Sequence, residues 1–338
     1  MFDVLANLAP HPHLAIVRKR GHIEAILPFQ GRKRGLARPL GAPLSDQHSL
    51  IVAPDSDITL IDVVSRLGMS GFVFTGLLQP VSGALRQVKA IAHVADLSDG
   101  IEAYMDWRNA NWRDQVKKND RRKRQGERQW GTMRIEIACP KTSNHFENFM
   151  RLKQDKFVET NRHNVLGVAW INAFLRALYQ SPDPNFVGEI TVLYFGDHLA
   201  GLEFGLRGGK AMHSWFPAFD RAYAQVSPGI LLMNAMIEMC GTRGITKVDL
   251  GIGHDQYKRH ASNAPVPVWS GTLPISPLRR AGALTYVTGL NWLQKTPASN
   301  IGSFVGKLER RNEMILSAEP SLSGRFKGYV AAMGALGN

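Results

Sequence analysis

Hydrophobic and polar positions along the chain fall into short alternating runs separated by stretches with helical spacing, which is the pattern of an α/β protein. Ala15-Ile16-Val17, a turn at Arg20-Gly21-His22 and a return from Ile23 to Pro28 predict a hairpin over residues 14–30. Leu50-Ile51-Val52, a helix around Ile58 to Leu67, the run Gly71 to Phe74 and a strand over Val88 to Val94 continue the pattern. Ile101 to Gln125 predicts a long helix with a break at Gly126, and Met133 to Cys139 alternates as a half-buried strand does. His145 to Phe157 and Val168 to Tyr179 have helical spacing, ended by Ser181-Pro182-Asp183-Pro184. Three strands then follow, Gly188 to Phe195, Leu199 to Leu206 and Ala211 to Phe216, joined by turns at Gly196-Asp197 and Gly208-Gly209. A capped apolar helix, another strand and a last strand at Pro265 to Trp269 come next, and the tail after Pro277 is helical and basic, for example over Phe304 to Leu316.

The most specific signal lies between Trp215 and Lys258. Ser227 is a favoured N-cap residue, Pro228 suits the first helical position, and Gly229 leaves backbone open to a close ligand. A helix start of this kind offers N–H groups and partial positive charge to a phosphate, although the same three residues also make a good helix start that binds nothing. The helix behind it is apolar on most sides, with Asn234 and Glu238 four apart on one face, as expected of a helix packed on a sheet. Gly251-Ile252-Gly253 reads as a Gly-rich turn after the strand that ends at Leu250; it invites a dinucleotide-site reading, but Gln256 stands where the third glycine belongs and no βαβ unit surrounds it.

Composition narrows the classes. With 338 residues, 44% of them hydrophobic, the chain can bury two cores of ordinary size. Its two cysteines, Cys139 and Cys240, sit far apart in apolar runs, which argues against a disulfide-stapled fold. No His-Glu-x-x-His arrangement occurs, so a catalytic metal is not expected. The first residues lack a basic-then-apolar leader and no apolar run is long enough to cross a bilayer; the expected location is the cytoplasm, with peripheral contact at the inner membrane as a variant of it. A net charge of +13 favours anionic partners. Residues 113–128 alone hold eight basic and three acidic side chains, either a solvated helix face or a contact for an anionic membrane or a lipid- or nucleotide-linked substrate. Aromatics stand only at its edges, Trp112 and Trp130, which makes nucleic acid the weaker expectation.

The central stretch resembles the GNAT-like acyltransferases of the FemAB-like superfamily, closest to the CelD/BcsL-like branch associated with cellulose and exopolysaccharide biosynthesis. The residues that carry the resemblance are Trp215, Phe219-Asp220, Ser227-Pro228-Gly229, Leu231-Leu232, Asp249-Leu250-Gly251, Gly253 and Tyr257-Lys258. Arg38-Pro39-Leu40-Gly41 with Leu44-Ser45-Asp46, and Leu152-Lys153-Gln154, extend it over most of the chain. Members of that branch usually have more sequence before the first strand, which leaves two readings open: a first domain without an N-terminal helix and strand, or a sequence that starts late. The resemblance implies two tandem GNAT-like domains with a helical tail, drawn at 1–130, 131–272 and 273–338. It implies an acyl-CoA donor and an amino or hydroxyl acceptor on a sugar, nucleotide-sugar or lipid-linked envelope precursor.

Acyl transfer needs a held acceptor, a group to take its proton and donors for the developing oxyanion. Glu203, a carboxylate inside the apolar run Leu202-Glu203-Phe204, either faces solvent or lines the cleft. Asp220 is either a base or a loop aspartate bonding local backbone. Tyr257 is placed to protonate a departing thiolate and Lys258 to meet phosphate, or both form an ordinary first helical turn. Ser227, Pro228, Gly229, Ile230, Gly251 and Gly253 are the expected donor-binding residues. Asp46, His48, Lys153, Gln154, Trp215 and Asp249 are the expected acceptor side, with an Asx-type turn as the other reading of Asp46. Two other functions stay open: an aminoacyl-tRNA-dependent Fem-like ligase, and a non-catalytic protein binding nucleic acid or membrane through the basic helix.

Overall fold

The computed structural model describes residues 2–137, 141, 143–160, 162–253, 255–277, 281–282 and 311–334. Two compact units share the chain: one is built from 1–90, 160–174 and 267–338, the other from 91–159 and 175–266. They interleave in sequence, unlike the sequential domains drawn above. The expected Cys139 lies outside the described residues, as do 304–310 of the expected tail helix; 311–318 is helical.

In the first unit, a helix α1 (Phe2–Leu8) precedes the first strand. Strands β1 (Pro12–Lys19) and β2 (His22–Gln30) form the predicted hairpin, turned by Arg20 and Gly21 at φ 52° and 84°, the left-handed pair that a two-residue turn requires. β3 (Leu36–Pro39) pairs with β2 on one side and in parallel with β5 (Gly71–Leu77) on the other; β12 (Val266–Pro274) closes onto β5 antiparallel, and β4 (Ile51–Val52) extends β2. The short helix α2 (Leu60–Val64) starts with a reciprocal capping box between Thr59 and Asp62. Leu27, Phe29, Ala37, Val64, Phe72 and Phe74 form the core.

The second unit is a sheet in the order β7 (Met133–Glu136), β8 (Phe186–Phe195), β9 (His198–Gly208), β10 (Ala211–Phe219), β11 (Lys247–Ile252) and the 91–96 part of β6 (Leu85–Asp96). Every pair is antiparallel except β10 with β11. Helices α4 (His145–Glu159) and α5 (Ala169–Tyr179) come between β7 and β8 in the chain, and the one parallel step needs a crossover, which α6 (Pro228–Thr242) provides. α6 packs on α3 (Ile101–Trp130), with Tyr104, Met236, Ile237, Cys240, Val248 and Leu250 in one buried cluster. A side chain at Gly241 would put its Cβ 2.8 Å from that of Ile101, so the glycine sets how closely the two helices approach.

Two local expectations are corrected. α3 does not break at Gly126; the helix runs on to Trp130 and bends instead at Trp112 (φ −137°, ψ 35°). Gly126 is buried, and a Cβ there would lie 2.4 Å from Cζ of Phe195, so its role is to let the helix press against the sheet. Gly251, at φ 76°, sits within β11 at a register shift between Asp249 and Ile252, and so forms a bulge rather than a turn after the strand.

Candidate functional site

The site arises where β10 and β11 part. They pair over only three rungs, Ala211 with Lys247, Met212 with Val248 and His213 with Asp249. β10 then shifts register against β9 between Ser214 and Phe216, and β11 bulges at Gly251. Bulges bend and twist a strand, so both partners turn away from the last shared rung. A cavity of about 330 Å³ opens there, lined by Glu203, Ser214, Trp215, Pro217 and Phe219, by Ser227, Gly229, Ile230 and Met233 at the start of α6, and by Leu250, Tyr257 and Lys258. Most of these side chains are apolar, as binding pockets tend to be, with a few convergent polar groups.

Glu203 is the unusual group among them. It sits in β9 with Gly201 and Gly205 two positions away on the same face, and is only 1% exposed. Ser214 hydrogen-bonds its carboxylate, yet Oε1 has no hydrogen-bond partner. Burial pushes its carboxyl above the usual carboxylate range, against the opposing pull of Ser214 and of the charges on His213, Lys153 and Lys258. A buried acceptor without a partner is costly, and such groups persist where a ligand or reaction uses them.

Around it, Tyr257 is pushed up to about 12, by burial first and then by the charges of Asp255 and Glu203, so its hydroxyl stays protonated. Lys258 donates from Nζ to the Ile252 carbonyl at 3.4 Å. Lys153 comes from α4 (His145–Glu159), over the ring of Phe216 at 5.8 Å; burial lowers its ammonium to about 8, with Glu203 opposing that shift. Gln154, next to it, is exposed. Asp249 accepts from the Gly251 N–H at 2.8 Å and lies 3.1 Å from Nδ1 of His213 across the last paired rung. Gly253 donates its N–H to Ile91 O and accepts from Nε2 of His93, which anchors the end of β11 to β6.

The start of α6 differs from expectation in one respect. Ser227 is left-handed (φ 52°, ψ 62°) and makes no side-chain cap; its carbonyl accepts from the N–H groups of Ile230 and Leu231 instead. Pro228 has no N–H, which leaves Gly229 with the N–H that has no partner among the described residues. A Cβ on Gly229 would touch Phe219 Cδ1 at 3.7 Å, an ordinary contact.

Other expected residues lie elsewhere. Asp220 caps the short turn Arg221–Val226 by accepting from Ala222 N at 2.9 Å, and is not among the cavity residues. Asp46 and His48 belong to the first unit. His48 lines a different cavity there, of about 330 Å³, and burial lowers its imidazole to about 4 while Nε2 bonds the Ser45 carbonyl. Sequence reasoning passed over His213 and Ser214. Their signal in the sequence is position alone: they directly precede Trp215 in a strand with an aromatic end. Among the described residues no group of three or more His, Cys, Asp or Glu side chains would hold a metal ion, and no helix is long and apolar enough to cross a membrane.

Residues 114–259 match the family model described as Acetyltransferase (GNAT) domain, a span that includes every residue lining the cavity. The C-terminal domain of a proposed lysylphosphatidylglycerol synthetase from Agrobacterium fabrum superposes with a TM-score of 0.54 at 12% identity, over 86% of this chain and 91% of that one. FemX superposes at 0.49 with 8% identity, over 83% and 92%, and a tandem GNAT protein from the clavulanic acid biosynthesis pathway at 0.46 with 13% identity, over 81% and 88%. No curated protein matches the sequence. The chain has a mixed α/β, GNAT-like fold, and the segment that builds its cavity is similar to GNAT acetyltransferase domains.

Proposed function

We propose that the protein is an acyltransferase that moves an acetyl or longer acyl group from acyl-CoA to an amino or hydroxyl group held beside Glu203. The observation that carries this reading is the cavity between the parted strands, with a buried, half-unpartnered carboxylate inside it. The residues present suit an acyl-CoA arm. Beyond His213 and Asp249 each strand has a backbone edge free of the other, able to bond an amide-rich chain, and the Gly229 N–H at a helix start suits a phosphate. Acyl-CoA would supply a thioester carbonyl there.

The protein's own groups divide the proton work. Glu203 Oε1 takes the proton of the attacking amine or hydroxyl. Tyr257 holds a proton on its hydroxyl for the departing sulfur. One acceptor–acyl bond forms, one carbon–sulfur bond breaks, and the acceptor's proton ends on the thiol, with Glu203 and Tyr257 reset through solvent. Lys153 and Lys258 provide positive charge beside the carboxylate, which favours an acceptor carrying phosphate or carboxylate groups. A sugar, nucleotide-sugar or lipid-linked envelope precursor meets that description.

Calorimetric titration with acetyl-CoA and a longer acyl-CoA tests the donor. Gly229→Asp has steric room and an aspartate in a helix's first turn is well tolerated, so the variant is expected to fold and to lose at least about tenfold in acyl-CoA affinity. Folded wild-type protein that binds neither acyl-CoA would overturn the reading, and titration with aminoacyl-tRNA would then test the Fem-like alternative.

A further inference from the structure

The cavity makes no use of a strongly charged, exposed face of α3 in the second unit. After the bend at Trp112, Arg113, Lys117, Arg121, Arg124 and Arg128 follow at intervals of four, four, three and four residues. At 3.6 residues per turn these five fall within an arc of about 80°, on a line about 22 Å long. All five are exposed. The acids of the same segment border the arc, Asp114 about 20° beyond one edge and Asp120 and Glu127 about 20° and 40° beyond the other, while exposed Lys118 and Lys123 lie about 60° and 80° beyond it. Among the described residues, the one hydrogen bond made by a stripe side chain runs from Arg128 Nε to the Arg124 carbonyl, which consumes no charge.

We propose that this stripe seats the protein on an anionic, phosphate-bearing lipid surface. Four of its five members are arginines, whose planar forks match phosphate oxygens. A straight, one-sided line of charge lies flush on a plane. Single-stranded nucleic acid prefers aromatic platforms, and the flanking Trp112 and Trp130 are occupied, packing on His260 and on Phe195 and Tyr223. The stripe has no apolar residue to insert, so attachment is electrostatic, reversible and salt-sensitive. The inference is independent of the acyl-transfer reading.

The test is co-sedimentation of the full chain with phosphatidylglycerol–phosphatidylcholine vesicles and with phosphatidylcholine alone. Binding is expected to the anionic vesicles only and to vanish near 1 M salt, where screening falls to about 3 Å. Arg121→Gln with Arg124→Gln keeps good helix formers at exposed positions and is expected to lower partitioning about 30-fold with an unchanged circular-dichroism spectrum. Failure of wild-type protein to bind anionic vesicles at low salt would overturn the proposal. So would equal partitioning of the double variant, or tighter binding to duplex DNA or RNA than to vesicles in direct competition.

Discussion

Two glutamates on neighbouring strands of the same sheet meet opposite fates. Glu189 in β8 is 5% exposed, and Glu203 in β9 is 1% exposed. Glu189 Oε1 accepts from Arg207 Nε at 2.6 Å and Arg243 Nη2 at 2.9 Å, and Oε2 from Arg243 Nη1 at 3.0 Å. Burial alone would raise its carboxyl, but the hydrogen bonds and charges of Arg243 and Arg207 together hold it below the usual range. Glu203 has no such clamp; Ser214 bonds it, Oε1 is unpartnered, and burial prevails. Both carboxylates are desolvated, and the number of donors brought to each decides which one is locked into the scaffold and which stays available to a reactant.

The largest effect that would sharpen this contrast is on turnover. Glu203→Gln keeps the shape but loses the proton acceptor, and is expected to lower acyl transfer about 10²–10⁴-fold while leaving the urea unfolding midpoint equal or higher. An active Glu203→Gln enzyme would remove the distinction between the two sites. Glu189→Gln should do the reverse, leaving the chemistry of the folded enzyme intact but lowering stability by about 2–3 kcal/mol, since Arg207 and Arg243 lose their anion while partly buried. Urea unfolding gives that number, and no loss of stability would mean that water replaces the clamp.

The smallest effect is in the pH dependence of stability, where the two glutamates have opposite signs. Glu189, with its carboxyl held low, contributes stability above the ordinary glutamate range that is lost as pH falls through its folded value. Glu203, with its carboxyl held high, binds its proton more tightly folded than unfolded. Its contribution is therefore fully present at acid pH and is lost as pH rises from the ordinary glutamate range through its folded value. The stability advantage of Glu203→Gln over wild type should accordingly grow from acid to neutral pH, measured by urea unfolding at several pH values. A constant difference would contradict the raised carboxyl.

How far the sequence led depends on the range of the interaction involved. Apolar runs punctuated by Gly196-Asp197 and Gly208-Gly209 place β8, β9 and β10, and Pro228 marks the start of α6, because those signals are local. Glu203 stood out for the same reason, as a charge in an apolar strand. Ser227 had the right residue type for a cap, but its backbone is held left-handed by the turn that precedes it. The His213–Asp249 pair depends on the register of two strands separated by a helix, and Gly126 depends on where Phe195 lands. Neither has a signature in the local pattern.

The interleaving of the two units has a consequence for how the chain is made. Every segment of the second unit has been synthesised by residue 266, so it can close while the remainder is still being translated. The first unit must wait: β5 has an open edge until β12, encoded almost two hundred residues later, arrives to cover it. The N-terminal half-sheet is thus the part of the nascent protein most in need of protection from pairing with a neighbour. Placing β12 ahead of β1 by circular permutation would shorten that exposure without altering a residue of the cavity.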